Sequence, residues 1–292
     1  MASAELQGRP ADPFTERTPR VVFASKLHRA AARRKAGRFL AEGPNQVEAA
    51  VSAGAALEVF VTAEALDRHA SLLGGVSHAG IPLSVVTDRG MASLSATVTP
   101  PGLVALCRSV VRDGASSRDA ADAPDGAGAE SAAEPLRIVA IGQALAEPGN
   151  VGTLIRAADA LGADEVWFTA DSADPEGAKA VRASAGSLFH VPVVRGIPVD
   201  EVAERARSRG LALLVATGDG EVDITSADGA ELLREPSAWV FGNEAHGVPA
   251  ELRDAADARV RIPLRGRAES LNIATAAAIC LHSSAAAHPA AG

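Results

Sequence analysis

Arg261-Ile262-Pro263-Leu264-Arg265-Gly266-Arg267-Ala268-Glu269-Ser270-Leu271-Asn272-Ile273-Ala274-Thr275-Ala276-Ala277-Ala278 is a short apolar strand end that passes through a polar, glycine-containing loop directly into an alanine-rich helix. Such a passage sets backbone N–H and C=O groups and small polar side chains at an open sheet edge, where α/β folds bind ligands. Upstream, apolar runs alternate with helical patterns. Strands are expected at 137–142, 165–169, 190–194, 212–217, 238–242 and 258–263, and helices at 151–161, 175–187, 198–209, 249–255 and 271–287. The expected fold class is therefore α/β, a six-stranded, mainly parallel sheet with helices on both faces.

The N-terminal part reads as a second, smaller α/β unit. Residues 1–18 are polar, punctuated by prolines, and read as a disordered tail. Residues 39–110 alternate strand and helix, which suggests a mostly parallel sheet. Residues 111–134 hold Ala, Gly, Ser, Asp and Pro with almost no large apolar side chain. They cannot bury enough surface to offset ordering, so a flexible linker is expected there. The expected layout is a tail to 18, a small domain over 19–110, the linker, and a larger domain over 135–292.

The chain has 292 residues, 47% hydrophobic and 22% charged, with a net charge of −8, so no global charge points to nucleic acid. The charge between Arg20 and Arg38 is local and purely basic. Lys26, Arg29, Arg33, Arg34 and Arg38 in that segment suggest contacts to RNA phosphates. With no Tyr, an aromatic stacking platform is weakly supported. Cys107 and Cys280 lie in apolar surroundings and read as buried free thiols, with no disulfide framework and no zinc site. No signal-peptide pattern or spanning-length apolar run is evident, so a cytoplasmic protein with no membrane partner is expected.

Several site classes are excluded. There is no GxGxxG after the strand at 137–142, no GxxxxGK[ST], no GxSxG and no HExxH. A nicotinamide-type oxidoreductase then has only its fold class behind it. Three segments remain, each at the end of an expected strand. Glu147–Ala158 carries Asn150 and Arg156. Asn150 could simply cap a helix, but Arg156 has apolar neighbours and is harder to assign to a plain helix surface. Trp239–Pro249 presents Glu244 after Gly242. The third is the opening stretch, where Ser270 could cap the last helix.

Together these segments resemble the three motifs of the SpoU (TrmH-type) ribose methyltransferases of the SPOUT superfamily. The resemblance rests on N-x-G-x-x-x-R from Asn150 to Arg156, G-N-E-x-x-G from Gly242 to Gly247, and I-P-L…E-S-L-N-I-A from Ile262 to Ala274. It covers about residues 137–286. Lys26-Leu27-His28-Arg29 and Phe39-Leu40-Ala41-Glu42-Gly43 resemble, more weakly, the family's N-terminal substrate-binding domain. Glu147 stands where many members have Asp, and Leu264 where Met is frequent.

The resemblance implies a C-terminal trefoil knot, a homodimer, and S-adenosylmethionine as cofactor with no metal. It implies that Thr217, Gly242, Ile262, Leu264 and Leu271 hold the cofactor, with backbone groups of Ile262 and Leu264 reading the adenine edge. Arg156, Asn150, Glu244, Ser270 and Asn272 would form the catalytic set. Arg156 would act either as proton acceptor or as a phosphate clamp, since a guanidinium normally stays protonated. The implied activity is RNA 2'-O-ribose methylation, with 23S ribosomal RNA as the expected substrate. A tRNA-directed enzyme and a non-catalytic RNA-binding relative are the alternatives.

Overall fold

A computed structural model describes residues 12–114, 135–243 and 246–288. The chain divides between Ser109 and Val110 into two compact units.

In the first unit, α1 (Pro19–Ser25) and α2 (Ala30–Ala36) precede β1 (Arg38–Glu42), α3 (Pro44–Ser52) and β2 (Ala56–Thr62). There follow α4 (Ala63–Arg68), α5 (Ala70–His78), β3 (Leu83–Val86), α6 (Asp88–Leu94) and β4 (Leu103–Arg108). The sheet order is β1-β4-β2-β3. Only β2 and β3 pair in parallel, because β4 runs back between β1 and β2 and is antiparallel to both. The mostly parallel sheet expected for this unit is corrected accordingly. Short helices start where threonine hydroxyls cap them: Thr62 accepts from the Ala65 N–H at 3.2 Å and Thr87 from the Gly90 N–H at 3.1 Å. Part of the expected tail is also structured. The Phe14 N–H donates to the Val85 carbonyl at 2.8 Å and its own carbonyl accepts from Thr87 at 2.9 Å, fixing it on the edge of β3.

The second unit runs β5 (Val111–Asp113), β6 (Ile138–Gly142), α7 (Pro148–Ala160), β7 (Glu165–Thr169), α8 (Ala178–Ser184) and β8 (Val193–Ile197). It continues through α9 (Val202–Arg207), β9 (Ala212–Ala216), β10 (Val222–Asp223), α10 (Ala227–Leu232) and β11 (Ser237–Phe241). It ends with α11 (Ala250–Ala255), β12 (Ala258–Arg261) and α12 (Ile273–Ala287). Eight strands form one sheet in the order β10-β12-β9-β11-β6-β7-β8-β5, every pairing parallel. All six expected strands are present. The two additions are very short. One of them, β5, lies inside the expected linker, so the linker does not begin at 111; residues 115–134 lie outside the described residues. Arg195 on β8 holds β5 in place, reaching Asp113 at 2.8 Å while also pairing with the buried Glu176 at 3.0 Å.

Helices cover both faces. Val240 packs with α9 and α11 in one core that includes Val139, Val215 and Leu252. Its neighbour Trp239 points to the other face, as alternation along a strand requires. There its indole N–H donates to Ser284 of α12 at 2.8 Å, and both side chains are fully buried. That bond pins α12 onto β11, and α12 also packs on β6 and α7. The chain thus leaves β12, beyond β9, and returns across the sheet. This return carries the loop 262–272 over the carboxyl ends of β9 and β11.

Both cysteines are buried free thiols, and burial pushes the Cys280 thiol up to about 12. Among the described residues no helix is long and apolar enough to cross a membrane. Nor does any group of three or more His, Cys, Asp or Glu among them form a possible metal site.

Candidate active site

A cavity of about 380 Å³ lies at the carboxyl ends of three adjacent strands. The end of β9 contributes Ala216, Thr217 and Gly218, and the end of β11 contributes Phe241, Gly242 and Asn243. The loop after β12 contributes Ile262, Leu264, Glu269, Ser270, Leu271 and Asn272, and α12 contributes Ile273 and Ala276. Gly247 and Val248 lie against Gly242 in the same wall. The volume falls within the range of small-molecule sites, about 300–1,000 Å³. Apolar walls with a few polar groups at the mouth suit a nucleoside-like ligand.

Gly242 is required by space. A Cβ there would lie 2.5 Å from the Gly247 carbonyl carbon and 2.7 Å from Val248 Cγ2. Gly247 has φ +66°, and its N–H donates to the Asn243 carbonyl at 2.8 Å, closing a tight turn. The glycines therefore let two backbone segments approach and form one wall of the cavity. Glu244, expected in the catalytic set, lies outside the described residues.

The last helix is capped by Asn272, whose Oδ1 accepts from the Ala274 N–H at 2.9 Å. Ser270 is therefore not the cap, as its position two residues earlier had allowed; it stays in the loop and lines the cavity. At the mouth, the Thr217 hydroxyl donates to Asp219 at 2.6 Å. Arg253 and then Thr217 hold that carboxyl at about 2.

Asn150 and Arg156 sit on α7 and do not line the cavity. Glu147, not Asn150, caps α7: its Oε1 accepts from the Gly149 N–H at 3.0 Å and pairs with Lys179 at 2.7 Å. Asn150 is instead half-buried in the first turn, and Arg156 is exposed. Six residues apart, the two project about 120° from each other around the helix. Gly152 has the close-packing role its sequence context allowed, because a Cβ there would meet the Ala180 carbonyl of α8 at 2.3 Å.

In the first unit, Lys26, Arg29, Arg34 and Arg38 are exposed. Arg38 stacks over the Phe23 ring at 5.7 Å. Arg33 departs from the expected phosphate-contacting set. It is 6% exposed and donates to the carbonyls of Leu27 at 2.9 Å and His28 at 3.0 Å, so its charge is used inside the fold.

The sequence reading passed over Phe241, Asn243, Val248 and Ile273. Asn243 stands between two residues that were singled out, which was the available signal. The apolar wall residues look like ordinary core and carried none.

Fold and cavity define an α/β domain with a nucleoside-sized cavity at the carboxyl edge of a parallel sheet. The sequence profile of the SpoU rRNA Methylase family matches residues 137–282, and that of the MRM3-like substrate binding domain matches residues 18–105. The chain is similar to the 23S rRNA (guanosine(2553)-2'-O)-methyltransferase RlmP of Bacillus subtilis, with 34% identity over 88% of this chain and 92% of that protein. A crystal structure of an RNA 2'-O ribose methyltransferase superposes with a TM-score of 0.74 at 28% identity, over 94% of this chain and 98% of that one. The SpoU methyltransferase AviRb from Streptomyces viridochromogenes, solved in complex with AdoMet, superposes at 0.73 with 26% identity, over 92% and 98%. The chain belongs to the SpoU rRNA methylase family. It is a methyltransferase that uses S-adenosylmethionine.

Proposed function

We propose that the protein methylates a ribose 2'-hydroxyl of 23S ribosomal RNA in the cytoplasm, with the cavity at the ends of β9, β11 and β12 as its cofactor site. One observation carries this reading. A single cavity gathers Thr217, Gly242, Ile262, Leu264 and Leu271, together with Ser270 and Asn272. Phe241, Ile262 and Leu271 would supply apolar walls for the adenosyl group, and backbone groups of Ile262 and Leu264 would read the adenine edge. S-adenosylmethionine supplies an electrophilic methyl group, so the protein needs no metal to activate it.

A ribose hydroxyl is a weak nucleophile, and the task left to the side chains is placement and charge. A guanidinium has five donors and no acceptor, which suits it to a phosphate. Arg156 would grip the phosphate beside the target ribose and so hold the 2'-hydroxyl in place for methyl transfer. Asn150, Glu244, Ser270 and Asn272 orient the ribose, and the hydroxyl proton leaves to water. The active form is a homodimer. Arg156 is exposed and absent from the lining of its own chain's cavity, which supports a site completed by α7 of a second subunit. The return of the chain from β12 to α12 is read as the closing pass of a trefoil knot.

Lys26, Arg29, Arg34 and Arg38 recruit the RNA through its phosphates. The first unit's likeness to a substrate-binding domain and the similarity to RlmP favour ribosomal RNA over tRNA. The presence of Asn150, Arg156, Glu244, Ser270 and Asn272 disfavours a non-catalytic relative. Transfer of labelled methyl to 23S RNA tests the assignment. The wild type should label it, and Arg156→Ala should not, while still binding S-adenosylhomocysteine. Full labelling by Arg156→Ala would remove Arg156 from the mechanism.

A further inference from the structure

We infer that Asn243 is a positioning residue that ties the cofactor cavity to the loop from which α7 starts. The inference rests on the assignment of Arg156, carried by α7, to the reacting ribose. Three observations meet at this side chain. Asn243 lines the cavity. Its carbonyl closes the turn to Gly247 at 2.8 Å, which sets the wall beside Gly242. Its side-chain Nδ2 donates to the Ala144 carbonyl at 3.0 Å, across to the segment between β6 and α7.

Ala144 is the unusual end of that bond. Its φ is +49°, and among the described residues only Ala185 shares a positive φ without being glycine. A residue with a Cβ adopts this conformation at a cost and keeps it only when its surroundings impose it. Here both polar groups of its backbone are held. The Ala144 N–H donates to Thr169 Oγ1 at 2.9 Å, and the carbonyl takes the Asn243 amide. Next to it, the Gln143 N–H donates to the carbonyl of cavity-lining Phe241 at 2.9 Å. Three residues after Ala144, Glu147 caps α7. Thr169 belongs to β7 and does not touch the cavity. Asn243 is the residue that both lines the cavity and holds the carbonyl of the left-handed Ala144.

The consequence is specific. Without the Nδ2 donor, Ala144 relaxes toward negative φ, which re-aims the three residues leading into α7 and so displaces Arg156. The turn that walls the cavity is held by the Asn243 backbone carbonyl, which the truncation leaves in place. Asn243 should thus act on turnover more than on cofactor affinity. It should also become dispensable if residue 144 can hold a positive φ unaided, as glycine does.

The test is a cycle of Asn243→Ala, Asn243→Asp, Ala144→Gly and the double variant Asn243→Ala/Ala144→Gly. Each is assayed for kcat and KM on 23S RNA and for S-adenosylhomocysteine affinity, with Arg156→Ala alongside. Asn243→Ala should lower kcat about tenfold or more, a loss of transition-state placement, with affinity for S-adenosylhomocysteine within about threefold. Asn243→Asp, which sets an oxygen against the Ala144 carbonyl, should behave the same way. Ala144→Gly should match the wild type, and the double variant should recover most of kcat. A double variant as slow as Asn243→Ala would overturn the proposal, as would unchanged kcat in Asn243→Ala or an affinity loss that accounts for the whole defect. Activity in Arg156→Ala would instead refute the role of Arg156, while recovery in the double variant would still report on the tie.

Discussion

Replacing Gly242 with alanine is the substitution whose effect follows most directly from the cavity's geometry. The added Cβ would lie 2.5 Å from the Gly247 carbonyl carbon, 2.6 Å from its oxygen and 2.7 Å from Val248 Cγ2. Ordinary contact begins at 3.4 Å, so the wall must retreat by about 0.9 Å (3.4 − 2.5). Two of the three atoms are backbone, and Gly247 already sits at φ +66°, so no side-chain rotation relieves the overlap. Overpacking of this kind costs about 1–3 kcal/mol. Carried wholly into binding, that is about 5–150-fold in affinity. The segment that must move is itself a wall of the site, so most of the loss should appear in cofactor binding. Calorimetric titration with S-adenosylhomocysteine measures it. Thermal unfolding without ligand reads the remainder, at about 2–4 °C per kcal/mol for a domain of this size. Affinity within about twofold of wild type and an unchanged unfolding temperature would refute the close approach of residues 242 and 247.

Three further outcomes are expected. Gly152→Ala drives a Cβ to 2.3 Å from the Ala180 carbonyl, so it should separate α7 from α8 and lower both the unfolding temperature and kcat. Arg33→Ala removes two hydrogen bonds from a buried cation and should destabilise by about 1.5–3 kcal/mol in denaturant titrations. Arg29→Ala should instead leave stability intact and reduce the salt slope of RNA binding by about 0.7–0.9, one phosphate contact. Glu147 is held below the usual carboxylate range by its bond from Lys179, then by the Gly149 N–H. A depressed carboxylate contributes its full stability above its unfolded pKa and loses it as pH falls through the lower folded value. Glu147→Ala should therefore flatten the acid side of the stability profile, and Glu147→Asp should preserve it.

The large sheet was legible because its central strands are buried on both faces and read as continuous apolar runs. β5 was not, because Val111 is its only apolar residue and its place depends on the distant Arg195. The direction of β4 was hidden as well, since nothing local to Leu103–Arg108 says between which strands it inserts. In the site, all five residues assigned by motif to the cofactor line one cavity, because their positions follow strand ends and glycine turns. Asn150 and Ser270 each had a plain capping role as the alternative to a catalytic one, but Glu147 and Asn272 hold those places, since a cap is fixed by where the helix begins within a residue or two. Arg33 reads like its basic neighbours in sequence. Only the turn after Leu27 brings two carbonyls to it and takes it out of the set expected to contact RNA.

The most direct measurement is a map of ribose methylation on 23S RNA, read as resistance to alkaline cleavage, from cells with and without the protein. A single nucleotide that loses its methyl group in cells lacking the protein is the predicted result. It should regain the group on re-expression of the wild type and not of Arg156→Ala. Identical methylation of 23S RNA in both cell lines would contradict the account.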